Sequence, residues 1–406
     1  MRTAVVVGAG VGGLAAAGAL ARTGWQVTLI ERGDRLRGSG AGLLLWPNGQ
    51  AALRSLGVSL GDIAFAVAEG GIRRNDGRWL VEADRGGVEP ADPAAVLVVH
   101  GDDLHDALMA ALGERIDVRT GTEVTTVRAN AGLRPAVGTG RQTFEADLIV
   151  AADGSHSLIR RRLAPQSALV PAGHCAWRGV VPWYRAPKLP DTEPASGELL
   201  GAGLRFQYAM LGQRGNSGGS SRGGIAWVAI VPGAPRPESA QTQLRLLRRW
   251  FSGWHSPVPD LLGAAEPEDL VQHAVEELRP LPRRFGQEVG SGGVVLLGDA
   301  AHVATPNLAQ GACLAFEDAA TLGALVGMAQ PGPELARALN GYTLARRARV
   351  ARVARASRRL GSLLLAQGRL SVQARDVALG RLPGRLLHRS ATSAYQWTPP
   401  GPAAPR

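Results

Sequence analysis

Four short apolar runs form the framework of the chain and predict buried parallel strands. Each is dominated by Val, Ile, Leu or Ala and is followed directly by a glycine or an acidic residue. An Ala- and Leu-rich helix is predicted between the first two runs, ending near Arg22 ahead of Gly24. This alternation indicates an α/β fold with a mostly parallel sheet. The runs are TAVVV at 3–7, QVTLI at 26–30, ADLIVAA at 146–152 and GVVLL at 293–297.

The hydrophobic pattern changes between about residues 165 and 282. Three segments of strand length there carry mixed polar and apolar faces, which is typical of an antiparallel sheet. The Gly- and Ser-rich QRGNSGGSSRGG at 213–224 predicts a flexible loop between two of them. The three segments are CAWRGVVPW at 175–183, GLRFQYAML at 203–211 and GIAWVAIV at 224–231.

These patterns predict a discontinuous α/β domain with a sheet domain inserted into it. The arginine-rich LARRARVARVARASRRL at 344–360 is interpreted as a helix with a solvated face over a small apolar seam, with contact to a membrane surface as the alternative. The predicted units are the α/β domain at 1–165 plus 285–345, the inserted domain at 166–284, a C-terminal helical segment at 346–396 and a disordered Pro-rich tail at 397–406.

Composition narrows the function classes. The 406 residues carry a formal net charge of +11, but Lys188 is the single lysine, so compositional bias towards arginine explains the charge better than a nucleic-acid partner does. Cys175 and Cys313 form no disulfide framework, and no metal-ligand spacing is present. No apolar run approaches the roughly 18 residues of a transmembrane helix, and the N-terminus does not resemble a signal peptide, so we expect a cytoplasmic location.

The first strand leads into GAGVGG at 8–13, a G-x-G-x-x-G motif inside a strand–helix–strand unit. Gly8 permits a tight turn, Gly10 lets the backbone approach a pyrophosphate, and Gly13 lets the helix pack closely on the sheet. Glu31 ends the second strand and suits a ribose hydroxyl. The segment predicts a dinucleotide site without separating NAD from FAD, and a glycine-rich turn without a ligand is the alternative.

Three further segments carry candidate binding groups. In GSGAGLLLWPN at 38–48, Gly40 and Gly42 permit another close backbone approach, or form a plain connection before a helix predicted at 50–56. In DGSHSLIR at 153–160, Ser157 and Arg160 share one face of a helical turn, and Arg160 could pair with a carboxylate or a phosphate.

The third segment is GDAAHVATPNLAQGACLAFEDA at 298–319. Asp299 follows a strand and can accept from a ribose or ribityl hydroxyl. Pro306 stiffens the loop, and Gly311 begins a helix whose unpaired N–H groups would stabilise negative charge.

These three motifs, in this order, resemble the class A flavoprotein monooxygenases, which include salicylate hydroxylase and zeaxanthin epoxidase. The resemblance implies a Rossmann-like FAD-binding domain of the GR2 type, with an inserted antiparallel-sheet substrate domain and C-terminal helices. It implies an FAD-dependent monooxygenase that uses NADPH or NADH and O2 to hydroxylate or epoxidise a small organic substrate, aromatic or polyene-like, through a flavin C4a-hydroperoxide. The flavin carries this chemistry, so no catalytic side chain is implied and His302 is not expected to act as a general base.

The resemblance also implies binding roles by position. The DGSHSLIR segment serves both FAD and the NAD(P)H pyrophosphate in this family, which has no separate nicotinamide domain. One position departs from the pattern: Gly101 stands where the family has an arginine, so a flavin contact is missing or is supplied by His100. The implied FAD-binding residues are Gly8, Gly10, Val11, Gly12, Gly13, Glu31, Arg32, Gly42, Asp153, Arg160, Asp299, Pro306, Gly311 and Ala312.

Candidate substrate residues lie on the predicted inserted sheet. Trp177, Phe206, Tyr208 and Trp227 form either an aromatic pocket wall or ordinary sheet core, and Arg178 either holds an anionic substrate or pairs with a surface carboxylate.

Three other functions are weighed against the monooxygenase. The first is a redox-neutral flavoprotein, an isomerase or cyclase that uses FAD as a scaffold or acid–base group. A flavin halogenase is disfavoured because the WxWxIP motif is absent. A non-catalytic basic binding protein would bind no flavin.

Overall fold

A computed structural model describes residues 1–67, 70–82, 95–129, 132–190, 193–212, 222–381 and 394–401. Ten helices and nineteen strands lie in these ranges, together with three short 3-10 turns. The helices are α1 Val11–Arg22, α2 Pro47–Ser55, α3 Gly101–Ala110, α4 Leu158–Leu163, α5 Ala240–Trp250, α6 Val258–Ala264, α7 Asp299–His302, α8 Gly311–Val326, α9 Pro333–Leu364 and α10 Arg369–Arg381.

The strands of the first half are short, and those from β13 onwards are mostly longer. In chain order the strands are β1 Thr3–Val7, β2 Gln26–Ile30, β3 Gly42–Leu45, β4 Ala64–Val67, β5 Ile72–Arg74, β6 Trp79–Val81, β7 Val96–His100, β8 Ile116–Arg119, β9 Thr126–Arg128, β10 Ala136–Gly138, β11 Thr143–Glu145, β12 Leu148–Ala151, β13 Ala168–Pro182, β14 Ser196–Leu200, β15 Arg205–Leu211, β16 Gly224–Pro232, β17 Val271–Arg279, β18 Gly286–Val289 and β19 Gly292–Leu296.

The predicted parallel strands form one six-stranded sheet, in the order β18-β19-β12-β1-β2-β8. Every pairing in it is parallel except that of β18 with β19. Helices α1 and α8 pack side by side on this sheet, and small residues allow the close approach: a Cβ on Gly323 would lie 3.2 Å from the Cβ of Ala19. The predicted α/β domain is therefore confirmed.

The inserted domain is a seven-stranded sheet, in the order β17-β13-β16-β15-β14-β5-β6. All of its pairings are antiparallel except that of β14 with β5. One face is covered by α5 and α6, and the aromatic side chains between the sheet and these helices form a second hydrophobic core. Two three-stranded antiparallel sheets complete the fold, β3-β7-β4 and β11-β10-β9.

Three elements, β5, β6 and α9, cross the predicted domain boundaries. Strands β5 and β6 come from the segment assigned to residues 1–165, yet they extend the inserted sheet. Helix α9 is continuous through residues 345 and 346, because a regular helical pattern with an inward apolar stripe runs on to Leu364. Helix α2 begins earlier than predicted because Pro47 occupies its first position, where a missing N–H costs nothing.

The arginine-rich face of α9 differs from its prediction. Arg346 and Arg349 are buried, whereas Arg352 and Arg355 are exposed. Arg349, Arg352 and Arg355 are spaced by three residues, and each such step turns the side chain by about 60° away from the previous one, so they cannot share one face. The interpretation of the arginine-rich face as solvated is therefore wrong at Arg346 and Arg349.

The C-terminal segment packs on the α/β domain as far as it is described. Tyr395 stacks on Trp46 with ring centroids 3.9 Å apart, and Trp397 packs against the main hydrophobic core. Residues 402–406 of the predicted tail and 213–221 of the predicted flexible loop lie outside the described residues. Among the described helices, none has the length and apolar content of a membrane span.

Candidate flavin site

The loop after β1 has the geometry that its glycines predict. Gly8 has a φ of +101°, and a Cβ on Gly13 would lie 1.9 Å from the carbonyl oxygen of Gly8, so both positions exclude other residues. A Cβ on Gly10 would meet no atom within 4 Å, so this side of the loop is open. Helix α1 begins at Val11 without a side-chain cap, which leaves its first N–H groups available to an anion.

Glu31 lies beside this loop and is fixed by two backbone groups. Its carboxylate accepts from the N–H of Ala9 at 2.9 Å and from the N–H of Gly33 at 2.9 Å. A carboxylate has about four acceptor positions, so it can still bind a hydroxyl. Arg32 is exposed next to it.

The backbone around Gly101 is tightly packed. A Cβ at Gly101 would lie 2.2 Å from Oγ of Ser39, which can rotate, and 3.0 Å from the carbonyl oxygen of Ala41, so an arginine here would require the segment before β3 to shift. One ring nitrogen of His100 is already engaged, because Nδ1 accepts from the N–H of Asp102 and caps α3. His100 therefore has only its other ring nitrogen with which to replace the arginine contact. Burial lowers the pKa of His100.

Arg160 joins two of the predicted motifs. Its guanidinium is buried and donates to the carbonyl oxygen of Ser155 at 2.6 Å and to those of Asp299 and Ala300 at 3.4 Å. Ser157 caps α4 by accepting from the N–H of Arg160, as its place one helical turn earlier predicts. The arginine therefore holds the DG and GD turns together, with Nε left unpartnered among the described residues.

Asp153 and Asp299 end neighbouring parallel strands at the same edge of the sheet. Asp153 accepts from the N–H of Leu158 at 2.8 Å, while its other oxygen is buried without a partner in the described part of the chain, and burial raises its pKa. Asp299 is exposed, and burial of its surroundings raises its pKa against the opposing effects of His302, Arg178 and Arg160. These are the positions from which a carboxylate can reach hydroxyls of a bound nucleotide.

The loop that leads into α8 contains one residue with a strained backbone. Ala309 has a φ of +49°, and it is the one described non-glycine residue with positive φ. Such a conformation costs of order 1–3 kcal/mol and is typical of functional sites. Helix α8 then begins at Gly311, with no side-chain cap and with open space where a Cβ would lie. Pro306 opens the 3-10 turn before it, and the N–H groups of Gly311 and Ala312 point out of the helix start.

The starts of α2 and α8 lie side by side, which sequence reasoning missed. A Cβ on Gly49 would lie 2.6 Å from Sγ of Cys313, so the two helices are in close contact. Asn48 donates to Oε1 of Gln310 at 2.8 Å and to Glu317 at 2.6 Å. Its own amide oxygen and Nε2 of Gln310 are buried without partners among the described atoms. Both residues lie within candidate binding segments of the sequence, Asn48 at the end of 38–48 and Gln310 inside 298–319, and this position was the available signal.

A buried charge network behind α8 was also missed. Arg346 binds Glu317 and Asp318 at 2.6 Å each, and Arg349 binds Glu317 through Nε at 2.6 Å. Asp318 also accepts from His302 at 2.6 Å. Burial would lower the pKa of His302, but the Asp318 carboxylate outweighs it and raises that pKa.

This network also supports the start of the GD turn. Asp318 accepts from the N–H of Gly298 at 2.9 Å, so the carboxylate that binds His302 also holds the residue before Asp299. His302 is therefore a buried partner of Asp318.

The predicted aromatic substrate residues lie on the far side of the inserted sheet. Trp177, Phe206 and Trp227 pack under α5 and α6, where Phe206 contacts Phe251 edge-on with ring centroids 5.5 Å apart. Tyr208 donates to Glu193 at 2.7 Å on the same face. The geometry supports the sheet-core alternative for all four.

The opposite face of this sheet packs against the strands β3, β4 and β7. Val180 and Ala226 pack there with residues of β3 and β7. Gly42 lies directly against Ala226, because a Cβ added to Gly42 would lie 2.3 Å from the Ala226 Cβ. Arg178 and Val228 share this face, because they alternate with Trp177 and Trp227 along β13 and β16. The sequence missed Val180, Ala226 and Val228, although alternation from the aromatic residues would have found them.

The fit to a flavin dinucleotide rests on these observations. The open glycine loop at the start of α1 suits the phosphates, and the carboxylate beside it suits a ribose. The second uncapped helix start behind a strained residue, together with unpartnered amide atoms, suits the edge of the flavin ring. The family model described as "FAD binding domain" matches residues 1–192 and 264–357. The chain belongs to the class A FAD-dependent monooxygenase family.

Individual relatives agree over most of the chain. Aurachin C monooxygenase/isomerase of Stigmatella aurantiaca is 31% identical over 89% of both proteins. A 3-hydroxybenzoate 6-hydroxylase of Klebsiella oxytoca is 31% identical over 90% of this chain and 89% of that protein. The crystal structure of Klebsiella pneumoniae HpxO complexed with FAD and uric acid superposes with a TM-score of 0.77 at 26% identity, covering 97% of this chain and 96% of that chain. Membership of this flavoprotein family therefore supports FAD as the cofactor.

Proposed function

We propose that this enzyme uses NAD(P)H and O2 to hydroxylate or epoxidise a small organic substrate, aromatic or polyene-like, held between the inserted sheet and the flavin. In this reaction one oxygen atom enters the substrate and the other leaves as water, while NAD(P)H supplies two electrons. When bound, FAD supplies the chemistry of accepting hydride and activating O2.

The observation that carries this proposal is the uncapped start of α8 behind Ala309. N–H groups at a helix start stabilise negative charge, which develops on the isoalloxazine when it is reduced. Val180 and Ala226 carry small apolar side chains on the inner face of the inserted sheet, and Val228, on the same face, packs with Ile230 and Leu365. This face binds an apolar substrate and excludes water from the reacting atoms.

The relatives support a small cyclic substrate. Their printed names include hydroxylases of urate, 3-hydroxybenzoate and phenazine 1,6-dicarboxylic acid. A redox-neutral isomerase is the second candidate, and the name of the aurachin C monooxygenase/isomerase favours it as a side activity of the same architecture.

The test is an anaerobic titration of the FAD-loaded protein with NADH and, separately, NADPH. We expect the oxidised flavin band to bleach and to return on admission of air, with faster bleaching when a ring effector such as urate or 3-hydroxybenzoate is present. Oxygen uptake then separates coupled from uncoupled turnover. A bound flavin that stays oxidised with both nucleotides and every effector would contradict the monooxygenase and favour the redox-neutral enzyme.

A further inference from the structure

We propose that Arg178, with His273 beside it, forms an anion-binding subsite at one end of the substrate site, which receives a carboxylate or ionised hydroxyl of the substrate. The inference rests on the proposed function, because it names a chemical class of substrate for the same site. It commits this site to a ligand with an apolar body and one acidic end.

Strand register places the two side chains together. Arg178 pairs with Val271 across β13 and β17, and Ala176 pairs with His273. His273 is thus the diagonal neighbour of Arg178 on one face, at a separation of about 7–8 Å that long side chains bridge. This face is the one opposite Trp177, and it also carries Val180 and Ala226, so both side chains lie on the side of the sheet turned towards β3 and β7.

Arg178 has no anionic partner. Within the described residues it makes no hydrogen bond or ion pair, and its Nε is buried without an acceptor. Nε2 of His273 is likewise buried and unpartnered in that part of the chain. Burial of a cation without a partner is costly, so the arrangement favours an anion supplied from outside the chain.

The same sheet face shows what a satisfied arginine looks like. Arg205 is buried two strands away and binds Glu198 through Nε at 2.7 Å and through a terminal nitrogen at 2.8 Å, while Asn307 accepts from it at 3.0 Å. Arg73, a further buried cation of this sheet, binds Glu193 at 3.1 Å, so both of these arginines have an acidic partner, whereas Arg178 has none among the described residues.

The surroundings give the charge balance. Burial, and then Arg178, lower the pKa of His273 to about 4, so the imidazole is neutral near pH 7 and adds a hydrogen-bonding group without adding charge. Asp299 is the acidic group that acts electrostatically on Arg178, and no hydrogen bond or ion pair joins the two among the described residues. A guanidinium stays charged in proteins and presents a planar fork that suits a carboxylate.

Neighbouring residues limit the rest of the ligand. Val228 pairs with Arg178 across β13 and β16, and Gln207 pairs with Val228 across β15 and β16. On this face, the side chains that follow Arg178 across the sheet are therefore first the apolar Val228 and then the amide of Gln207. A ring can lie against Val228 while its acidic group binds the arginine.

The test measures binding of benzoate and of the neutral isostere benzamide to the FAD-loaded protein, through perturbation of the visible flavin spectrum. We expect saturable benzoate binding that is at least tenfold weaker in Arg178→Gln and partly restored in Arg178→Lys. Benzamide should bind the wild type more weakly than benzoate and should be insensitive to both substitutions. Arg245→Gln, which changes an exposed arginine on α5 across the sheet, should match the wild type.

Three outcomes would overturn the proposal. The first is a wild-type flavin spectrum that benzoate leaves unchanged. The second is benzoate binding to Arg178→Gln that is as tight as binding to the wild type. The third is loss of FAD from Arg178→Gln, which would make Arg178 a flavin contact. FAD affinity is measured for each variant by flavin fluorescence, and far-UV circular dichroism checks folding. The experiment contains no nicotinamide nucleotide, so failure of the monooxygenase proposal would not alter its outcome.

Discussion

Arg346→Met tests whether the buried charge network determines the stability of the cofactor domain. Arg346 is fully buried and binds both Glu317 and Asp318 at 2.6 Å. Removal of one member of a buried ion pair costs about 3–5 kcal/mol because the remaining charge is uncompensated. Arg349 still binds Glu317, and His302 still binds Asp318, so we place the loss near the lower end, at about 3 kcal/mol.

The assay is urea unfolding of the flavin-free protein, followed by tryptophan fluorescence. With an m-value of about 3 kcal/mol/M for a chain of this size, the loss lowers the midpoint by about 1 M. We also expect weaker FAD binding, because Asp318 holds the backbone N–H of Gly298 at the GD turn. Arg346→Lys keeps the charge and should recover part of both properties.

The matched control is Arg119→Met. Arg119 binds Asp117 at 2.8 Å, but both side chains are about half exposed, at 54% and 44%. An exposed pair of this kind contributes about 1 kcal/mol or less. If the two methionine variants shift the midpoint equally, burial of the network does not set its strength and the reasoning is refuted.

Three further predictions concern the cofactor loop, the buried histidine and the two faces of β16. Gly13→Ala places a Cβ 1.9 Å from a backbone oxygen, so the variant should purify without flavin absorbance while keeping its far-UV spectrum. The contact with Asp318 raises the pKa of His302, so the stability that this contact confers is complete below about pH 6.5 and is lost as the pH rises through the raised pKa. The fall in Tm at alkaline pH should therefore be smaller in His302→Asn. If the pH profile of Tm is the same in the variant and the wild type, this pair is not the cause of the fall. Trp227→Ala should cost about 3–5 kcal/mol of stability without changing benzoate binding. Val228→Phe should block benzoate binding with a smaller loss of stability. The reverse pattern would mean that the two faces of β16 are assigned wrongly.

The sequence predicted the features that depend on neighbouring residues. Buried parallel strands are continuous apolar runs, and the glycine loop is a local device, so β1, α1 and β12 were found within a few residues of their bounds. The helix start at Gly311 was also found, because a glycine after a loop and before an apolar run marks it.

The features that depend on distant partners could not be predicted. Phe206 and Trp227 carry the same signal whether they line a pocket or a core, and the decision comes from α5 and α6, which cover their face. Arg349 resembles Arg352 in sequence, but only Arg349 reaches Glu317, 32 residues earlier on another helix. Charge and polarity in sequence do not determine which way a side chain points.

The position of β19 in the parallel sheet has a consequence for how the protein is made. Strands β1, β2, β8 and β12 leave the ribosome early, but β19 pairs with β12 only after the whole inserted sheet has been synthesised. Until then the nascent chain exposes an unpaired edge of β12 and a valine-rich face, which are sites for wrong pairing. The start of α8 is translated later still, so FAD cannot stabilise the domain until more than three quarters of the chain exists. Cofactor binding therefore cannot protect the growing polypeptide from wrong pairing before α8 has been made.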